Sequence, residues 1–196
     1  MKNLLVLACF CFLTFPSWGQ HETIFNKARV VGGFVSPLVE FGLNNDLGNS
    51  YGAGGGIIIN NVFIGGYGLA GFDLKGVIEN DDLETLDIGH GGLWIGGTYQ
   101  PHRLVHVYGT TRIGWGTINI DLNDKDLEYE DLDKIFVLTP EIGAELNVTK
   151  WFRVGATAGY RFVNGVDKAS TFTDDDFRGA VATLSLRFGW FGRHRD

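Results

Sequence analysis

The side chains best placed to do chemistry here are two carboxylates and four guanidiniums that share the polar parity of their segments. Glu141 and Glu145 fall on the odd positions between Val137 and Thr149. Arg153 and Arg161 take the odd positions of the next segment, Arg187 those of the last, and Arg112 the even positions that also hold His106, Tyr108 and Thr110. Alternate residues of a strand point to one face, so each of these charges stands on the polar face of its segment. A guanidinium stays charged and can grip a carboxylate with a planar fork. The expectation is a set of interior charge pairs, with Glu141 and Glu145 meeting Arg153, Arg161, Arg187 or Arg112.

Other motifs have plainer readings. Gly66-Tyr67-Gly68-Leu69-Ala70-Gly71 matches G-x-G-x-x-G, and Asp87 lies near the spacing of a ribose-binding acid. A dinucleotide site needs a helix opening at that turn to aim its N-terminus at the pyrophosphate. Phe72-Asp73-Leu74-Lys75-Gly76 offers a strand instead, so packing of glycines within a strand is expected. The histidines are His21, His90, His102, His106 and His194. His102 and His106 would share a helix face and could clamp a metal, but Pro101 and the surrounding alternation spoil that geometry. The stretch Asp121 to Asp133 sets seven carboxylates against Lys125 alone, and Asp174-Asp175-Asp176 forms another cluster. Both lack the residue order and central Gly of an EF-hand, so they read as solvated loops. No metal, no cofactor and no catalytic centre are expected.

These residues need a scaffold, and composition narrows it. The chain has 196 residues with 29 Gly, 4 Pro, 44% apolar and 13% aromatic content, and no G-X-Y period. That excludes collagen and argues against disorder. A formal charge of -7 argues against nucleic acid, whose phosphates need a basic face. Met1-Lys2-Asn3, the apolar run Leu4 to Leu13, Pro16 and the small residues of Ser17-Trp18-Gly19 read as a signal peptide over residues 1–19. The run is shorter than the roughly 18 residues a membrane helix needs. Cys9 and Cys11 leave with that leader, so no disulfide is expected. A short N-terminal segment (20–27), a barrel domain (28–191) and a C-terminal tail (192–196) follow.

Period-two alternation runs through the barrel domain. Outward-type residues Phe136, Leu138, Ile142, Leu146 and Val148 alternate with Val137, Thr139, Glu141, Glu145 and Thr149. Phe152, Val154, Ala156, Ala158, Tyr160 and Phe162 oppose Arg153, Gly155, Thr157, Gly159 and Arg161, and Ala180 to Trp190 repeats the pattern. Upstream, strands are expected around Val31 to Phe41, Tyr51 to Ile59, Val62 to Lys75, Thr85 to Tyr99 and Val105 to Trp115. Between Thr85 and Tyr99 the apolar parity changes from Leu86 and Ile88 to Leu93 and Ile95, which predicts a bulge at Gly91-Gly92. Each strand is near or above the ~9–11 residues that cross a bilayer at a tilt. Linkers alternate in length: those centred on residues 44–49, 76–84, 121–134 and 164–177 are longer, the other three short. By count, 16 of the 23 acidic residues lie in the longer four and none in the short three. Long outer loops and short periplasmic turns are the layout of an outer-membrane barrel. Small residues on the polar face suit a narrow filled interior. Tyr99, Trp151, Phe152, Trp190 and Phe191 sit at strand ends, as interfacial girdles do. The fold expected is all-β: an eight-stranded antiparallel up-and-down transmembrane β-barrel.

With that pattern in place, the chain resembles the small eight-stranded outer-membrane barrels of Gram-negative bacteria, the OmpA/OmpX-like group. The resemblance rests on Ala144-Glu145-Leu146-Asn147-Val148-Thr149-Lys150-Trp151-Phe152-Arg153-Val154-Gly155, on Gly159 to Phe162, and on Thr183 to Phe191. Thr183-x-Ser185-x-x-Phe188-x-Trp190 is similar to the final-strand signal read by the barrel-assembly machinery. The resemblance implies the cell outer membrane, contact with its lipid and lipopolysaccharide, a monomer, and a structural or surface-interaction role. Alternatives within such barrels are a small pore or transporter for apolar molecules, or a lipid A-modifying enzyme. The last needs a His with Ser or Asp near the outer leaflet. His102 and His106 fall at the opposite end, and His90 has no sequence neighbour suited to that task.

Overall fold

The computed structural model describes residues 28–43, 48–74, 85–121, 133–166 and 173–192. The expected leader, the segment 20–27, most of the C-terminal tail and most of the acidic linkers lie outside the described residues. Eight antiparallel strands form: β1 (Val30–Gly42), β2 (Asn49–Ile59), β3 (Val62–Leu74), β4 (Thr85–Tyr99), β5 (Val105–Asp121), β6 (Asp133–Asn147), β7 (Phe152–Asn164) and β8 (Gly179–Trp190). Each pairs with the next, and β8 returns to β1 from Gly33↔Trp190 to Gly42↔Val181, which closes the barrel. No described helix is long and apolar enough to cross a membrane, a finding that has no bearing on strands.

Parity becomes inside and outside. On β6, Ile135, Val137, Thr139, Glu141 and Glu145 are buried, while Ile142 and Leu146 are 66% and 38% exposed. On β7 and β8 the odd residues Arg153, Thr157, Arg161, Val181, Thr183, Ser185 and Arg187 are buried. An outer face of Ile, Leu, Val and aromatic side chains would be costly in water and is natural in lipid. Closure leaves no free edge, so every strand has backbone partners on both sides.

Short connections join β2 to β3, β4 to β5 and β6 to β7. Asn60 turns the first with φ 56°, a left-handed backbone that Asn tolerates better than most residues. In the third, Thr149 Oγ1 accepts from the backbone N–H of Trp151 (3.3 Å) and Phe152 (3.0 Å).

One expectation is corrected. β4 pairs with β5 in unbroken register from Thr85↔Asp121 to Tyr99↔Val107, and with β3 through Gly68↔Gly91 and Tyr67↔Gly92, so no bulge occurs at Gly91-Gly92. The apparent change of phase has another cause. Ile88 points inward into an apolar cluster with Ile135, Val137, Val163, Val166 and Phe177, while Leu93 is 45% exposed on the outside. Apolar residues occupy both faces at different heights, and β4 keeps its register from Ile88 to Leu93; the shift in its pairing with β3 lies elsewhere, between Gly71 and Leu74.

The glycine-rich side makes room for rings. A Cβ at Gly54 would lie 2.8 Å from Trp94 Cε3, and one at Gly96 would strike the Phe63 ring. Gly54 of β2 and Gly96 of β4 thereby make room for Trp94 and Phe63, which cluster inside with Phe34 and Tyr108.

Candidate functional site

The polar side chains of the interior are stacked in layers. Nearest the short turns lies Glu145, whose side chain is fully buried. Its Oε1 accepts from Arg153 Nη1 (2.8 Å) and meets His106 Nε2 (3.0 Å), and its Oε2 accepts from Arg187 Nη1 (2.5 Å). His106 Nδ1 faces the Arg103 carbonyl at 3.2 Å. Around the Arg187 guanidinium stand Phe34 (3.6 Å to the ring centre), Phe63 (4.7 Å), Tyr108 (5.2 Å), Phe191 (5.8 Å) and Trp94 (6.0 Å). A desolvated cation is stabilised by such ring faces, on the order of 2 kcal/mol for a good contact.

Above it, Arg112 Nη2 donates to Glu40 Oε2 and lies 3.2 Å from Glu141 Oε1. Arg161 Nη1 donates to Glu40 Oε1 at 3.0 Å, and its Nε to the Phe177 carbonyl at 3.2 Å. Thr183 Oγ1 donates to Glu141 Oε1 at 2.6 Å and accepts from Arg112 Nη2 at 3.2 Å. Trp94 Nε1 donates to Thr110 Oγ1 at 2.6 Å, and Tyr67 Oη lies 3.1 Å from His90 Nδ1.

Beyond these charges the apolar cluster of Ile88, Ile135, Val137, Val163, Val166 and Phe177 covers the loop end. Phe177 reaches it from a single 3-10 turn, Asp174–Phe177, between β7 and β8. Asp174 Oδ1 fixes that turn by accepting from the backbone N–H of Gly165 (3.0 Å) and Val166 (2.9 Å). Arg178 ties it down through Asp174 (3.1 Å), Asp175 (2.8 Å) and the Val163 carbonyl (2.8 Å).

All six charges singled out in the sequence lie in this interior, but their pairing is specific. Glu145 takes Arg153 and Arg187, Glu141 takes Arg112, and Arg161 goes to Glu40. Glu40, His106 and Thr183 were not anticipated as partners. Glu40 shares the parity of Ser36 and Leu38 on β1, a signal present in the sequence, yet only closure carries β1 around to face β5 and β7. The aromatic residues divide. Tyr99, Trp151 and Trp190 are exposed on the outside at 69%, 59% and 64%. Phe152 is half-buried and stacks on Phe188 at 4.8 Å. Phe191 does not join them, a correction to the expected girdle. It keeps the inward parity of Arg187 past the end of β8, is buried, and lies with its ring 4.0 Å from the Arg153 guanidinium carbon.

The glycine motif from Gly66 to Gly71 is interior to β3 and paired on both sides, with no helix at its end. Among the described residues, no three His, Cys, Asp or Glu side chains are grouped as metal ligands.

An eight-stranded closed barrel with an apolar exterior and a charged interior defines the class: an integral barrel of the outer membrane. Comparison with known proteins gives the family. The profile of the outer membrane protein beta-barrel domain matches residues 4–188, and the chain belongs to that family, resident in the outer membrane. The match begins within the segment read as the leader. Among solved structures, the N-terminal beta-barrel domain of OprF from Pseudomonas aeruginosa is similar at 11% identity and a TM-score of 0.53, over 82% of this chain and 98% of that one. Neisserial surface protein A matches at 15% identity and a TM-score of 0.49, over 81% and 92%. Ail, the attachment invasion locus protein of Yersinia pestis, matches at 13% and 0.40, over 82% and 97%. No curated protein sequence matches the chain. At these identities the structural likeness speaks to the fold alone.

Proposed function

We propose that the protein is a closed, non-conducting barrel with a structural or surface-interaction role, presenting its acidic loops to the exterior. One observation carries this reading: buried side chains occupy the interior at three successive heights. Arg187 and Glu145 are 1% and 0% exposed, Arg112 and Glu40 0% and 1%, and Val137 and Phe177 0% and 1%. Eight strands enclose an interior that side chains are just able to fill, and these do so with charges that hold one another. The strand ends that the acidic linkers join, such as Gly42 and Asn49 or Asp121 and Asp133, are those away from the short turns, which suits an outward, solvated surface. His106 and His90 are engaged by Glu145 and Tyr67, an arrangement of support and not of nucleophile activation.

On this reading the chain acts as a monomer amid outer-membrane lipid and lipopolysaccharide. The barrel-assembly machinery reads the outward aromatics of β8 during insertion. Single-channel recording in a planar bilayer tests the central claim. The full chain should give no discrete conductance steps. Regular ion-conducting events would overturn it in favour of a pore, and uptake of apolar solutes into proteoliposomes without conductance would favour the transporter alternative.

A further inference from the structure

The interior charges do not balance. Among the described buried residues, four guanidiniums stand with three carboxylates. Toward the loops the count is even, Glu40 and Glu141 with Arg112 and Arg161. The surplus therefore lies at the short-turn end, where Glu145 alone serves both Arg153 and Arg187. Arg187 is enclosed by rings. Arg153 shares one carboxylate oxygen with His106 and stands at the mouth, its side chain 10% exposed. Two guanidiniums on one carboxylate leave this end with a net positive charge, which an anion at the mouth would offset.

The space beside it has the shape for one. Arg153 and Arg187 line a cavity of about 220 Å³, and Arg187 Nε has no hydrogen-bond partner among the described residues. A second cavity of about 540 Å³ shares Arg153 and Phe191 with the first and is also lined by Lys150, Val148 and Trp190. Val148 and Trp190 are 49% and 64% exposed. The two cavities thus join a buried cation to an apolar rim. The short connections carry Lys150 and Arg103 and no carboxylate, so the field at this end is positive.

We propose that this vestibule binds the phosphate of an anionic phospholipid from the leaflet beside the short turns. The phosphate oxygens lie on Arg153 and Lys150, and the acyl chains follow Val148 and Trp190. Guanidinium and phosphate make short, charge-assisted hydrogen bonds, and a lipid supplies both the anion and the apolar body that the site accepts.

The test uses the full folded chain in a non-ionic detergent, titrated with dioctanoyl phosphatidylglycerol, dioctanoyl phosphatidylcholine or inorganic phosphate and followed by native mass spectrometry. Phosphatidylglycerol should bind saturably, one per chain and at least tenfold tighter than phosphatidylcholine. Arg153→Gln should weaken it at least tenfold and Lys150→Gln severalfold, while Arg178→Gln at the opposite end leaves it unchanged. Lys150 is exposed in a turn, so that variant decides the matter even if Arg153→Gln fails to fold. Equal binding of the two lipids, or wild-type affinity in Lys150→Gln, would overturn the proposal. Inorganic phosphate binding as tightly as phosphatidylglycerol would overturn the lipid assignment.

Discussion

Replacing Glu145 by Ala should be among the most damaging single changes in the interior, and its cost can be built from its contacts. The carboxylate is fully buried and receives Arg153, Arg187 and His106 within 3.0 Å. Its loss leaves two guanidiniums without a carboxylate in a closed barrel. Breaking a buried pair from one side costs roughly 3–5 kcal/mol, chiefly through the charge left behind. Two features reduce that figure here. The rings around Arg187 keep part of its stabilisation, and Arg153 at the mouth can turn toward water. About 3 kcal/mol is therefore expected, read as a lower urea midpoint for unfolding in detergent, followed by tryptophan fluorescence and by the heat-modifiability shift on a gel. The sharper statement concerns coupling. Adding Arg187→Met to Glu145→Ala should cost much less than Arg187→Met alone, because the partner it would orphan is already gone; contacting residues couple by roughly 0.5–3 kcal/mol. Glu145→Ala with Arg161→Met should instead be additive within about 0.5 kcal/mol, since Arg161 is held by Glu40. Strict additivity in the Arg187 pair, or strong coupling in the Arg161 pair, would refute the assignment of partners.

Three further outcomes follow from the same geometry. Ile142→Arg and Leu184→Arg place a charge on the outer face near mid-strand and should each cost roughly 2–4 kcal/mol in lipid; a neutral effect at both would mean the faces are inverted. Gly54→Leu should force the Trp94 ring aside and destabilise by roughly 1–3 kcal/mol, with a loss of near-ultraviolet circular dichroism that an unchanged spectrum would contradict. Phe177→Ala empties the apolar cluster at the loop end and should cost on the order of 3 kcal/mol while leaving the far-ultraviolet β signal intact; an unaltered unfolding midpoint would show that this ring does not cap the interior.

Local alternation was enough to tell which side of the C-terminal strands faces inward. Parity from Phe136 to Val148 and from Phe152 to Phe162, read residue by residue, is the parity of burial on β6 and β7. That information is local, because the pleat alternates side chains with period two whatever lies across the barrel. The short turn at Asn60-Asn61 and the antiparallel order of neighbours were legible for the same reason. Local pattern is also where the reading went astray: the shift between Ile88 and Leu93 looked like a slip of the strand, and only the interior cluster around Phe177 shows why an inward position there is apolar. Partner choice is not local. Glu40 is 72 residues from Arg112 and 121 from Arg161 in the chain. They meet because β8 closes on β1 and the tilt of the strands sets which heights coincide across the interior. Phe191 likewise turns inward because Arg153 and Phe34 offer it a place beneath the last strand. Charge and alternation specified that carboxylates and guanidiniums would face one another, and closure with its register decided which ones touch.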